Sequence, residues 1–129
     1  MRPTDHLKSL AAEDWAATTR HAFCTELVEG RLPEAKMRWY LVHDYMFVDG
    51  FVRLLASAIA KAPTRADAVP KAQFLGLVTS EENTYFLRAF EALGTTETER
   101  QAPPAPATRA FQDLMADAAA SGSYAKMLA

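Results

Sequence analysis

The chain has 129 residues, of which 50% are hydrophobic, and a net charge of −2 at neutral pH. This length suits one domain, and the lack of a basic excess argues against nucleic acid or anionic membranes as partners. The sequence also lacks the run of about 20 apolar residues that spans a bilayer. Because Cys24 is the only cysteine and no apolar export segment is present at the amino terminus, we expect a cytoplasmic location.

The first helical segment is predicted to run through the apolar residues that follow the amino terminus and to stop at Gly30. Polar residues at positions 18–21 weaken its period, so we expect the segment either to bend there or to divide into two shorter helices.

The second segment carries the most unusual residue of the chain. It is opened by Pro33 and closed before Pro63, and its apolar residues recur at three- and four-residue steps. Asp44 falls near the centre of that stripe, where we expect the most buried side chain. Since desolvating an unpaired carboxylate is strongly unfavourable, Asp44 is the first candidate for a functional site.

The third segment is predicted to run from about Asp67 to Leu93 as one helix. A helical wheel places Glu82 inside its apolar arc beside Tyr85. If the second and third helices pack antiparallel, Asp44 and Glu82 share one pocket, and like charges there raise the pKa of one carboxyl. The alternative is an ordinary core in which each of the two carboxylates meets an arginine or a tyrosine hydroxyl.

Residues 95–108 are rich in proline and polar side chains, which predicts an exposed, extended connector. The last segment starts at about Thr108 and groups Phe111, Leu114 and Met115 on one face. The chain shows no useful β-alternation and no fixed repeat. The predicted fold class is therefore all-α, with about four helical segments in a single domain, 1–129.

Metal and covalent chemistry gain little support from the residues. Di-iron bundles add a Glu-x-x-His pair to their carboxylates, and this pair does not occur here, so we expect no metal and no cofactor. His43 is predicted to lie off the apolar face, and Cys24, with no base beside it, to be a small core residue. Four aromatic residues at helical spacing fit either an ordinary core or the lining of a flat aromatic ligand: Phe47, Phe51, Tyr85 and Phe111.

An ordered set of short motifs resembles the TenA/THI-4 family, which includes thiaminase II. The set consists of Trp15, the triplet His21-Ala22-Phe23, the run Glu29-Gly30-Arg31-Leu32-Pro33, Tyr40, and the run His43-Asp44-Tyr45-Met46-Phe47. The helix that bears Glu82 and the proline-rich connector fit the family's continuation. The resemblance extends over essentially the whole chain.

This resemblance implies a heme-oxygenase-like helical bundle without haem, and hydrolysis of an aminopyrimidine, either thiamin or its aminomethyl pyrimidine fragment. It gives Asp44 the catalytic and binding role of holding the amino and ring-nitrogen edge of the pyrimidine. Phe47, Glu82, Tyr85 and Phe111 are the further substrate-binding candidates. The resemblance also implies a homo-oligomer.

The sequence departs from the family pattern at several positions. His43 replaces a glutamine, Ala22 replaces a proline, and Phe47 and Phe111 stand where active relatives place tyrosine hydroxyls. Family domains are longer, and we expect this chain to lack the family's cysteine nucleophile and its late catalytic glutamate. Three hypotheses follow: an aminopyrimidine hydrolase, a non-catalytic pyrimidine-binding or regulatory relative, and a structural helical module that associates with itself.

Overall fold

The computed structural model describes residues 2–129, and all regular structure within this range is helical. In chain order the helices are α1 (Pro3–Leu10), α2 (Ala12–Thr19), α3 (Ala22–Val28), α4 (Glu34–Lys61), α5 (Arg65–Leu77), α6 (Asn83–Ala92), α7 (Glu97–Arg100), α8 (Pro106–Ala120) and α9 (Tyr124–Leu128). A π-helical turn, Val78–Glu82, joins α5 to α6. The prediction of an all-α fold is confirmed. No helix in the described range is both long enough and apolar enough to cross a membrane.

The chain divides into two compact units, with the boundary between Met37 and Arg38. The first contains α1 to α3 and the start of α4, and the predicted division near residues 18–21 is confirmed there by the end of α2 and the start of α3. The second contains the rest of the chain and all five candidate site residues. That residues 1–129 form a single domain stays a prediction.

Helix α4 runs between the two prolines that predicted its ends. His43 on this helix is buried, so the prediction that it lies off the apolar face is wrong. The indole ring of Trp39, one turn earlier, stacks on the imidazole with ring centroids 4.0 Å apart. The Nδ1 atom of His43 lies 2.8 Å from the Trp39 carbonyl oxygen. Trp39 thus covers a polar residue that the helical wheel assigns to solvent.

The π-helical turn changes which residues of α6 face the core. Val78 and Phe86 are both buried although they lie eight positions apart, whereas a spacing of seven positions keeps side chains on one face of an α-helix. A π turn accommodates about one extra residue, so every later side chain is displaced by one position. Tyr85, predicted to face the core, is consequently 52% exposed.

The connector between α6 and α8 is less extended than predicted because it contains α7. Thr96 and Glu99 form a capping box in which the Thr96 hydroxyl accepts from the Glu99 amide and the Glu99 carboxylate accepts from the Thr96 amide. Arg38 of α4 also donates to Glu99, at 3.3 Å. These bonds fold the segment back against α4.

Helix α8 approaches α4 closely at Gly50. A Cβ atom at Gly50 would lie 2.8 Å from the Cε atom of the buried Met115, so a residue without a side chain allows this contact. One turn away, Gln112 donates a hydrogen bond of 3.1 Å to the Met46 carbonyl oxygen. The two contacts fix the position of Phe111 on α8 relative to the middle of α4.

Candidate functional site

Asp44 is half-buried, so the prediction that it occupies the most buried position is wrong; Leu41, Val42 and His43, which precede it, are buried. An unpaired carboxylate keeps part of its hydration because full burial is strongly unfavourable. Within residues 2–129 its oxygens have no hydrogen-bond or ion-pair partner. Burial raises the pKa of Asp44, and the negative charge of Glu82 raises it further.

Glu82 is the last residue of the π-helical turn, and its side chain is exposed. Its predicted place inside the apolar arc is therefore wrong, because the wheel assumed an uninterrupted α-helix. It nevertheless lies close enough to Asp44 for its charge to raise the pKa of that carboxyl. The structure thus brings together the two acidic residues that the sequence singled out.

Four phenylalanine rings form a continuous chain of contacts that we call the aromatic strip: Phe111, Phe47, Phe51 and Phe74. Phe47 meets Phe111 edge-on at 5.2 Å between centroids and stacks on Phe51 at 5.5 Å. Phe51 in turn meets Phe74 edge-on at 6.0 Å. Phe111 is 52% exposed and Phe74 is 46% exposed. The strip therefore presents apolar ring surface to solvent.

Asp44 lies on the same side of α4 as the strip. It precedes Phe47 by three residues and Phe51 by seven, spacings that keep side chains on one helical face. The predicted residues Asp44, Phe47 and Phe111 are accordingly joined by helix geometry and ring contact. Tyr85 is joined to this group by no ring contact within the described range, and its ring meets that of Phe86 at 6.0 Å.

Sequence reasoning missed three residues around the site. Phe74, on α5, is the fourth ring of the strip. Its place in the apolar period of the third segment was visible in the sequence, but its contact with Phe51 was not. The hydroxyl of Tyr45 donates a hydrogen bond of 2.8 Å to Oδ1 of Asn83. Tyr45 and Asn83 directly follow Asp44 and Glu82 in the sequence, and this adjacency was the available signal.

The arrangement suits a flat ring that carries hydrogen-bond donors and acceptors. An ionised carboxylate only accepts hydrogen bonds, whereas a protonated one also donates. Because its pKa is raised, Asp44 changes between these two forms at a pH closer to neutral than an ordinary aspartate does. The exposed aromatic rings offer a surface on which a flat ligand can stack. The Glu82 carboxylate, whose charge acts on that of Asp44, is a second hydrogen-bond acceptor in this region.

A larger cavity lies in another part of the chain. It measures about 530 Å³, belongs to the first unit, and is lined mainly by side chains of α1 and α2, including Leu7 and Trp15. A smaller cavity of about 120 Å³ in the second unit lies between Val42, Tyr45 and Phe90. We favour the Asp44 region because the larger groove contains no pair of interacting acids.

Metal-ligating and nucleophilic side chains are dispersed. Among residues 2–129 no group of three His, Cys, Asp or Glu side chains could hold a metal ion. Cys24 is exposed, so its predicted place in the core is wrong. It belongs to the first unit, and no catalytic role at Asp44 is assigned to it.

The chain is similar to proteins whose names concern pyrimidines and thiamine. It is 25% identical over 130 residues to an aminopyrimidine aminohydrolase of Bacillus subtilis, covering 100% of this chain and 55% of that protein. It is 23% identical to the hydroxymethylpyrimidine/phosphomethylpyrimidine kinase THI20 of Saccharomyces cerevisiae, over 89% of this chain and 21% of that protein. It is 22% identical to the yeast thiamine biosynthesis protein THI22, over 88% and 20%. The chain thus spans about half of the bacterial relative and about a fifth of each yeast relative.

A sequence profile of the TENA/THI-4/PQQC family matches residues 10–129, which is nearly the whole chain. The all-α structure agrees with the helical, heme-oxygenase-like fold expected from the resemblance. With the ordered motifs around Asp44, these findings show that the chain belongs to the TENA/THI-4/PQQC family.

Proposed function

We propose that this protein acts in thiamin metabolism as a hydrolase of aminopyrimidines, and that Asp44 recognises the pyrimidine. The observation that carries the proposal is an unpartnered, half-buried carboxylate on the same helical face as a partly exposed aromatic strip. Family membership and the name of the bacterial relative support the choice of substrate.

In the proposed complex the pyrimidine ring lies against Phe47 and Phe111. The carboxylate of Asp44 accepts a hydrogen bond from the exocyclic amino group, and its protonated form donates to the adjacent ring nitrogen. Glu82 supplies a second acceptor, and the exposed ring of Tyr85 borders the ligand. These contacts favour a ring that has an amino group beside a ring nitrogen.

The proposed reaction replaces a C–N bond at the exocyclic methylene carbon by a C–O bond from water, and it releases the thiazole from thiamin or ammonia from the aminomethyl pyrimidine. Proton exchange between Asp44 and the ring makes the methylene carbon a better electrophile while the bond breaks. The raised pKa of Asp44 supports this exchange, because a proton moves most readily between groups of similar pKa.

Activity is tested by incubating the protein with thiamin or with the aminomethyl pyrimidine and measuring the released hydroxymethyl pyrimidine by chromatography. We expect release by the wild type, strong loss in Asp44→Ala, and no loss in Asp49→Ala, an exposed aspartate on the same helix. Equal release by Asp44→Ala and the wild type would exclude the assigned role.

A second candidate is a pyrimidine-binding protein without catalysis. It is favoured by Phe47 and Phe111, whose rings offer apolar surface to a ligand but no hydroxyl to the reacting group. This alternative predicts saturable binding of the aminomethyl pyrimidine without product. Any turnover that depends on Asp44 excludes it.

We also propose that the protein is a homo-oligomer in which a second copy covers the open apolar side of the strip. Phe111 and Leu114 on α8, and Phe74 and Leu77 on α5, are all substantially exposed, and the strip connects the two pairs. Analytical ultracentrifugation tests this: we expect an oligomer, and dissociation in Leu114→Lys. A monomeric wild type at high concentration contradicts it.

The cytoplasm is the proposed location, because the single Cys24 offers no internal disulfide. Cell fractionation with an antibody against the protein tests this, and recovery only from an exported fraction contradicts it.

A further inference from the structure

The residues that directly follow the two acidic residues of the site are hydrogen-bonded to each other. Tyr45 follows Asp44 on α4, and Asn83 follows Glu82 at the start of α6. The Tyr45 hydroxyl donates to Asn83 Oδ1 over 2.8 Å in a partly buried position. The bond therefore joins the backbone positions next to the two carboxyl groups.

The ring of Tyr45 is itself held by α6. Its centroid lies 5.2 Å from that of Phe86 and 5.5 Å from that of Phe90, and both of these residues are buried. Packing of the rings fixes the distance between the helices. The hydroxyl adds a directional hydrogen bond at Asn83, which fixes the rotation of α6 about its axis and its position along that axis.

The segment that carries Glu82 needs such a contact because its backbone is irregular. Glu82 ends the π-helical turn and Asn83 begins regular α-helix. Before this point the hydroxyl of Ser80 donates to the Gly76 carbonyl oxygen at 2.6 Å, and that of Thr79 donates to the Leu75 carbonyl oxygen at 2.8 Å. Hydroxyls that bond to carbonyls in this way bend helices.

Electrostatics opposes the observed placement of Glu82. Its negative charge lies close to that of Asp44, and two like charges repel. Within residues 2–129 the Glu82 carboxylate has no hydrogen bond or ion pair of its own to hold it there. The nearest directional tie is the one that its neighbour Asn83 makes.

We propose that the Tyr45–Asn83 hydrogen bond holds Glu82 beside Asp44, and that Tyr45 is a positioning residue for the pyrimidine site. This inference rests on the proposed function for its ligand. It assigns Tyr45 no contact with the substrate. The residue acts through Glu82, so its effect on binding must disappear when Glu82 no longer carries a charge.

The test is a double-mutant cycle on affinity for the aminomethyl pyrimidine, measured by calorimetry with Tyr45→Phe, Glu82→Gln and the double variant. Tyr45→Phe retains the ring that packs on Phe86 and removes only the hydroxyl. We expect it to weaken binding about fivefold, on the scale of one hydrogen bond, and to change affinity less than twofold in the Glu82→Gln background. Tyr124→Phe on α9 is the control for loss of a tyrosine hydroxyl elsewhere.

Equal weakening in both backgrounds, or no weakening in either, overturns the positioning role. If the wild type binds no pyrimidine, the proposed function fails and the positioning role is judged without ligand, from NMR titration of the Asp44 carboxyl carbon. Tyr45→Phe must then lower the midpoint toward that of Glu82→Gln, and must leave it unchanged in the Glu82→Gln background. An unchanged midpoint in Tyr45→Phe alone overturns the inference.

Discussion

The ring of Phe111 meets the ring of Phe47 edge-on, with 5.2 Å between centroids, although the two residues belong to different helices. Because this contact leaves ring surface exposed, we expect Phe111→Ala to weaken pyrimidine binding about fivefold, the scale of one aromatic contact. Leu87→Ala on α6, which removes a side chain that is 43% exposed, is the control. Similar affinities of the two variants would argue against stacking on Phe111.

We expect Asp44 to lower the free energy of unfolding at neutral pH. Its pKa in the folded state is raised above the ordinary value of 3.8, so the folded state binds the proton more tightly and stability falls as pH rises through the raised pKa. We expect Asp44→Asn to raise the free energy of unfolding at pH 7 by no more than about 1 kcal/mol, since a half-buried charge stays screened.

This gain must shrink as the pH falls toward and below 3.8, because Asp44 then becomes protonated first in the folded state and next in the unfolded state as well. Chemical denaturation at pH 7 and at pH 4 measures it, with Asp49→Asn as the control. A gain that grows at low pH contradicts the direction of the shift.

The two helical glycines Gly50 and Gly76 differ in the space around them. A Cβ atom at Gly76 meets nothing within 4 Å, whereas one at Gly50 lies 2.8 Å from Met115 Cε. We expect Gly76→Ala to stabilise the protein by about 0.8 kcal/mol through helix propensity, and Gly50→Ala to stabilise it less because Met115 must move. Thermal denaturation measures both, and a larger gain for Gly50→Ala would refute the close contact.

The hydroxyl of Thr95 is buried without a hydrogen-bond partner in the described structure. Replacing it by a methyl group removes an unsatisfied polar atom at constant shape, so we expect Thr95→Val to stabilise the protein by about 1 kcal/mol. The neighbouring Thr96→Val is the contrasting control: it removes the capping hydroxyl of α7 and should destabilise by about 1 kcal/mol. Urea denaturation separates the two, and destabilisation by Thr95→Val would show an unseen partner.

The sequence predicts the parts of the fold that depend on local rules. Pro33 and Pro63 mark the ends of α4 because a proline ring disfavours helix before it and suits a first turn. Asp44 stands out because a carboxylate interrupts an apolar period. That Asp44 and Glu82 lie near each other follows from the antiparallel packing of two long helices joined by a short connector.

The π-helical turn explains why other predictions are wrong. A wheel of constant pitch places Tyr85 in the core, but one additional residue between Val78 and Phe86 puts Phe86 there instead. The same displacement leaves Glu82 exposed. His43 is buried for a different reason, because the ring of Trp39 stacks on it. The spacing of apolar residues along a helix cannot predict that an aromatic ring covers a polar neighbour.

The most direct test of the account is calorimetric titration of the aminomethyl and hydroxymethyl pyrimidines into the wild type, Asp44→Ala and Asp49→Ala. We predict saturable binding by the wild type and by Asp49→Ala, and at least tenfold weaker binding by Asp44→Ala, because a hydrogen bond to a charged group contributes about 1.5 kcal/mol or more. Equal affinity of all three proteins, or no binding by the wild type, would contradict the assignment of Asp44 as the residue that recognises the pyrimidine.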